Sequence, residues 1–314
     1  NNSFNNSFNN SFNNSFNKGR TPMNRAYQIV VMAYLVSLIV ACIAYFGSDW
    51  FGIEAEAVWE RLLIADIAAT LVIFGFSFIY NNSSFYDAYW SVAPMAIWIA
   101  LCLVPEAYST RLLLCGLVVM AWGARLTYNW SKTWDDLSEE DWRYRRLQDN
   151  TGGAYWLVSL LGIHLFPTIL VFIGCIGMIR IAEQPDAPLN WLDALALLIG
   201  AFSIWIESRA DTALHAFRGN RTDRSQHIEA SVWRWCRHPN YLGEIGVWVS
   251  IACFGIASVQ HLDLWVLAGP VVMILLFTLI SIPMIEKKLI EDKPSYRGYQ
   301  KRVPMLLPYG RLRG

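Results

Sequence analysis

The chain has 314 residues, of which 55% are hydrophobic and only 16% charged, and its formal net charge is zero. Soluble domains carry roughly 25% charged residues, so the composition excludes an ordinary soluble protein. A zero net charge excludes the global field that would gather nucleic acid, and none is expected as a partner.

Residues 1–17 repeat Asn-Asn-Ser-Phe four times and then break off. The tract has too little apolar surface to fold alone and lacks the unbroken apolar core of a signal peptide. Residues 1–22 are therefore expected to be a low-complexity, disordered tail, and 23–314 a single transmembrane helical domain. Apolar stretches near the ~20 residues a bilayer requires follow at 26–46, 62–80, 92–105, 111–130, 155–179, 190–207, 241–258 and 264–283. The expected fold is all-α, a polytopic helix bundle of about eight spans. Seven remain if the short third stretch, bounded by Pro94 and Pro105, is re-entrant.

The Lys and Arg distribution tests that count. With the N-terminus inside, inner segments hold Lys18, Arg20 and Arg25, then four basic residues at 131–154, six at 208–240 and eight after 284. The outer segments hold only Arg61, Arg111 and Arg180. This asymmetry follows the positive-inside rule and favours an even number of spans with both termini cytoplasmic. The six cysteines show no CxxC or Cys/His ligand spacing, so free thiols, no disulfide and no metal site are expected.

Five segments carry chemistry. Ser83 to Pro94 is an inner segment with one acid, Asp87, no basic residue and four aromatics. It suits an apolar substrate cavity with a proton-donating corner at Asp87 or Tyr89, and equally an interfacial aromatic belt. In Trp122 to Trp130, Arg125 lies about one turn inside a span with no acid on its own helix. It either snorkels or meets a partner from elsewhere, such as an anion. Tyr128, three residues on, is an alternative donor. His164, mid-span and three residues before Pro167, reads as a packing residue.

In Glu207 to His215, two acids and a His repeat every fourth residue on one helix face, where Glu207 and Asp211 could bond hydroxyls or an amide. Arg209 and Arg218 stand beside them for phosphates; intrahelical pairing is the alternative. In Ser231 to Glu244, Pro239 restarts a helix whose N-terminus, with Arg234, Arg237 and His238, forms a natural phosphate site. Asn240 and Glu244 share the next turn. The same segment also reads as a positive-inside cluster with tryptophan anchors. In the tail from Pro283 to Pro304, a basic helix stops before Pro294 and a tyrosine-bearing segment follows, as a lid or an anionic-lipid contact would.

These motifs in order resemble the steroid 5-alpha-reductase and sterol reductase superfamily. The resemblance rests on Arg237-His-Pro-Asn-Tyr-Leu-Gly-Glu244, on the upstream Glu207 and Asp211, and on the tail with Glu286, Tyr296, Tyr299 and Arg302. Trp122-Gly-Ala-Arg-Leu-Thr127, Glu140-Asp-Trp-Arg-Tyr144 and Tyr86 to Pro94 are similar to its bacterial polytopic branch, which implies a bacterial inner membrane. The resemblance covers roughly residues 80–309. It implies NADPH bound from the cytoplasmic side, and hydride delivery to a carbon–carbon double bond conjugated to a carbonyl in a steroid-like or other lipid lodged among the helices.

Carried over, Asn240 and Glu244 hold the nicotinamide end. Arg125, Glu207, Asp211, Arg218, Arg234, Arg237, His238, Tyr241, Glu286, Lys287, Tyr296, Tyr299 and Arg302 complete the cofactor set. The superfamily sets a Glu and a Tyr against the substrate ketone. No Glu here matches; Asp87 is the nearest acid, and Trp122 stands where that Tyr is sought. Arg-His-Pro-x-Tyr also occurs in isoprenylcysteine carboxyl methyltransferases, so an S-adenosylmethionine-dependent lipid methyltransferase is the second expectation. A non-enzymatic lipid carrier is the third, although a carrier places its functional charges near midplane in related halves.

Overall fold

The structure, a computed structural model, describes residues 25–47, 57–134, 136–223 and 225–308. The Asn-Asn-Ser-Phe tract lies outside them. The described residues are helical, with no strands, and all six cysteines are free.

Helix α1 (Arg25–Gly47) is apolar around most of its circumference, as lipid-embedded helices are, and α2 (Val58–Ile79) is largely apolar with Glu60, Arg61 and Asp66 as its charged residues. A 3-10 turn, Ser83–Tyr86, leads into α3 (Tyr89–Cys102), followed by α4 (Thr110–Thr133) and a polar helix α5 (Trp142–Thr151). Next come α6 (Tyr155–Val158), a π-helical stretch Ser159–Leu165, α7 (Phe166–Gly174) and α8 (Ile176–Glu183). The second half contains α9 (Trp191–Asn220), α10 (Pro239–Val259), α11 (Leu264–Leu275), a π-helical stretch Leu276–Ser281, α12 (Ile282–Asp292) and α13 (Tyr296–Arg302). Both π stretches directly precede a helix whose first turn contains a proline, Pro167 or Pro283. Proline cannot donate the bond that closes an α-helical turn, and a widened turn before it accommodates the loss.

Among the described residues, seven helices, counting 142–183 and 264–292 as continuous units, are long and apolar enough to cross a membrane. The expected third span is α3, whose 14 residues extend only ~21 Å. It nevertheless joins two polar layers at opposite ends of the bundle. The Ser91 hydroxyl bonds that of Thr127 at 2.9 Å near one end, and the Trp98 indole donates to Leu112 O at 2.9 Å near the other.

One layer is closed by few charges. Arg111 is buried and donates to Asp193 at 2.7 Å and to the carbonyls of Ala187 and Pro188, while Arg180 donates to Asp263 at 3.0 Å. The other layer holds the functional motifs and is rich in Arg and Lys. There the Tyr27 hydroxyl donates to the carbonyls of Ser131 and Trp134, so the start of α1 lies in the same layer as the end of α4.

Candidate functional site

Close backbone approach between α9 and α10 sets the site. A Cβ on Gly243 would stand 2.6 Å from Ser203 O and 2.7 Å from the Glu207 Cβ, and one on Gly246 would stand 2.1 Å from the Ser203 hydroxyl. The glycines therefore let the helices touch and bring Glu207 and Glu244 onto one seam. Arg125 of α4 reaches into it, with Nη2 2.5 Å from Glu207 Oε1 and Nη1 2.7 Å from Asp211 Oδ2. The partner that the sequence left open for Arg125 is thus this pair of acids. Asn129 adds a bond to Asp211 at 3.3 Å, and Glu244 accepts from the Trp90 indole at 2.5 Å.

The cluster therefore sets three carboxyl groups against one guanidinium. Glu207 Oε2 and Arg125 Nε are buried there without a hydrogen-bond partner, as is Asn240 Oδ1 at the start of α10. Buried polar atoms are normally satisfied, so such orphans mark where a ligand would bond.

At the basic face the motif residues do something the sequence did not suggest. Arg237 Nε donates to Glu286 at 2.6 Å, and its Nη1 donates to the carbonyls of Gln300 and Val303. His238 bonds Glu286 at 2.9 Å, Gln300 donates to the same carboxylate at 2.7 Å, and the Tyr296 hydroxyl reaches it at 3.3 Å. The backbone N–H groups of Arg237 and His238 donate to the carbonyls of Pro304 and Met305. Arg237, His238, Glu286 and Tyr296 thus form a lock that straps the tail over the start of α10. Tyr299 joins it by donating to Trp233 O at 2.5 Å. Burial pulls His238 below its ordinary pKa, and the Glu286 bond only partly offsets that.

Beneath this strap lies a cavity of about 220 Å³. Its walls include Arg218, Arg221 and Lys293 together with Asn240, Tyr241 and Tyr296. No side-chain hydrogen bond or ion pair joins any of those three cations to another described residue. Burial, with Arg221 and Arg218 close by, pulls the Lys293 ammonium below its usual value. Arg218 is exposed at the rim, and Asp211 and Asp292 act on Arg218 and Lys293 from beyond ion-pair distance; an anion in the hollow would offset the repulsion that remains. Arg221 and Lys293 were not among the residues expected from the sequence. They lie just beyond the C-termini of α9 and α12, where no spacing rule singles out an arginine or a lysine.

The remaining expected residues sit as follows. Arg234 and Lys287 are exposed, and Arg302 is exposed and donates to Glu229 at 2.8 Å. Tyr128 is 61% exposed, with the Lys132 ammonium over its ring. Asp87 and Tyr89 do not share one cavity. The turn from the 3-10 segment into α3 sends them apart, so Asp87 accepts from the Tyr144 hydroxyl at 2.8 Å while Tyr89 donates to Asp66 Oδ1 on α2 at 2.6 Å. Burial, helped by Asp141, pushes the Asp87 carboxyl up to about 6. Asp66 Oδ2 is buried and unbonded. Asp66 was missed because a lone acid in an apolar run has no motif around it.

The family described as protein of unknown function, DUF1295, matches residues 73–303. The chain belongs to this family. DUF1295 lies within the steroid 5-alpha-reductase-like superfamily. An uncharacterized protein of Schizosaccharomyces pombe is 26% identical over an alignment of 264 residues that covers 76% of each chain. No solved structure matches. The DUF1295 match takes in the α9–α10 seam, the cation cavity and the strap as far as Val303, but begins after Asp66.

Proposed function

We propose that this membrane protein is an NADPH-dependent reductase of a carbon–carbon double bond conjugated to a carbonyl, in a steroid-like or other lipid. The observation that carries the reading is the cavity in which Arg218, Arg221 and Lys293 converge unpaired, with Asn240 on its wall. That donor set fits a dinucleotide phosphate: the cations suit phosphates, and the orphaned Asn240 Oδ1 suits a carboxamide N–H. At about 220 Å³ the hollow is smaller than the ~300–1,000 Å³ of a whole-ligand pocket, so it would take one end of the cofactor. Bound NADPH would supply the hydride.

The chain's own residues would do the rest. Tyr89 takes the role that the resemblance gives to a tyrosine, and Asp66 that of the glutamate. The Tyr89 hydroxyl, oriented by Asp66 Oδ1, would donate to the carbonyl oxygen as negative charge develops there. One such donor in a dry site lowers a barrier by roughly 3–4 kcal/mol. Trp90, tied to Glu244, and the buried Trp122 and Trp248 would keep water from the reacting carbons. The Lys and Arg asymmetry supports a cytoplasmic location for both termini and for the cavity, and the resemblance to the bacterial polytopic branch supports a bacterial inner membrane.

The three carboxyls around Arg125 favour a second reading, in which they face the sulfonium of S-adenosylmethionine. The test uses the purified protein in lipid nanodiscs with progesterone as the enone. The reductase reading expects NADPH oxidation and a steroid product heavier by two hydrogens. Transfer of a labelled methyl group from S-adenosylmethionine to a lipid, with no NADPH oxidation across a panel of enones, would overturn it.

A further inference from the structure

The last span and the helix that follows it run as one unit from Leu264 to Asp292. Asp263 caps its start and accepts from Arg180 in the layer of few charges, so that end marks one edge of the bilayer. At 1.5 Å per residue, Ile282 and Pro283 lie roughly 27–29 Å along the unit, just inside the far edge of a hydrocarbon core ~30 Å thick. Lys287 lies ~35 Å along it, at the depth of the lipid headgroups. A second contact agrees with that depth. The Lys288 ammonium stands over the Trp142 ring, 5.1 Å from its centroid, and tryptophan favours the headgroup level.

At this level an open groove of about 490 Å³ runs between α12 and the tail. Its apolar surface comes from Ile282, Pro283 and Ile290 on α12 and from Met305 in the tail. Two cations line it, Lys287 from α12 and Arg297 from α13. No side-chain hydrogen bond or ion pair joins either of them to another described residue. Two acids also line the groove, and both are already countered. Glu286 is bonded by Arg237, His238 and Gln300. Glu291 lies one turn beyond Lys287 but pairs with Arg146 at 3.7 Å.

The groove is distinct from the cation hollow beneath the strap. Helix α12 gives Ile285, Leu289 and Lys293 to the hollow, and Pro283, Lys287 and Ile290 to the groove. The Glu286 lock stands between the two faces. A free phosphate would use the cations but not the apolar wall that continues to hydrocarbon depth. A phospholipid uses both, and two cations around one phosphate leave an excess of positive charge that disfavours a choline headgroup.

We propose that this groove binds an anionic phospholipid, with its phosphate between Lys287 and Arg297 and an acyl chain along Ile282 and Pro283. Lys287 belongs to the last span's helix and Arg297 to the strap. The bound lipid therefore ties the strap to the membrane surface, where anionic lipids hold basic segments. The inference is independent of the reductase reading.

The test uses the intact protein in detergent. It is titrated with phosphatidylglycerol and, separately, with phosphatidylcholine, and the lipid-bound states are resolved by native mass spectrometry. The first phosphatidylglycerol should bind at least tenfold tighter than the first phosphatidylcholine, and Lys287→Ala and Arg297→Ala should each weaken it by a factor of about five, the worth of one cation near an anionic headgroup. Lys301→Ala removes the same charge from α13 outside the groove and should stay within a factor of two of the wild type. Lys287 and Arg297 are both exposed, so neither substitution disturbs the core; if one variant misfolds, the other decides. Equal affinity for the two lipids, wild-type affinity in the folded variants, or equal weakening in Lys301→Ala would overturn the site. Displacement of bound phosphatidylglycerol by millimolar inorganic phosphate would overturn the lipid assignment in favour of free phosphate.

Discussion

At the scale of single residues, the side chains of the proposed site meet partners that the linear sequence does not pair. Tyr89 and Asp66 are 23 positions apart and share one short hydrogen bond. If Tyr89 is the donor to the enone, Tyr89→Phe and Asp66→Asn should each lower turnover by a factor on the order of 100. NADPH affinity should remain near the wild-type value, because the cations lie on other helices. Rapid-mix hydride transfer with progesterone would check this, and a wild-type rate in Tyr89→Phe would reassign the donor.

Asp87 gives a different prediction, in stability. Its folded pKa of about 6 lies above the ordinary value of 3.8. The folded protein therefore holds a proton that the unfolded chain has already lost between about pH 4 and 6. The associated stability is complete below about pH 4 and is lost as pH rises through about 6. Asp87→Asn keeps an acceptor for Tyr144 and removes the buried charge. It should raise the melting temperature at pH 7.5 by a few degrees, an effect of order 1 kcal/mol, and the gain should vanish near pH 4. A gain that is the same at both pH values would show that ionisation is not its cause.

At the scale of elements, the contact between α9 and α10 positions the carboxyl cluster. Gly243→Ala would press a methyl group against backbone at 2.6 Å, where no flexible side chain can yield. It should cost about 1–3 kcal/mol, and it should weaken NADPH binding by spreading Glu207 from Glu244. Thermal melts and nucleotide titration together would check this; unchanged affinity would separate the seam from the cofactor site. The helices themselves were largely legible, because long apolar runs with Lys and Arg on alternate sides admit few other arrangements. The expected 92–105 appears as Tyr89–Cys102, three residues early at each end, because Pro94 sits inside the helix rather than heading it. The π-helical stretches were not legible, since Pro167 alone does not reveal how the turn before it will adjust.

At the scale of the whole molecule, the proposed site is on the basic face among the C-terminal helices, where the sequence motifs cluster. The division of labour there differs. Arg237 and His238 carry the recognisable motif yet close the strap on Glu286, and Arg218, Arg221 and Lys293 are left free. Sequence could not separate these roles, because pairing with Glu286 is a contact across 49 positions for Arg237 and 48 for His238. Nor could it reveal Asp66 as the partner of Tyr89, which depends on how α2 packs beside α3.

The most direct measurement is nucleotide binding to the purified full chain in nanodiscs, by titration calorimetry with NADPH and with S-adenosylmethionine. NADPH should bind saturably, and its binding should weaken roughly tenfold or more in Arg221→Ala and Lys293→Ala, since each removes a charge-assisted bond worth about 1.5–3 kcal/mol. Binding of S-adenosylmethionine without NADPH, or NADPH binding indifferent to both substitutions, would contradict the reductase reading.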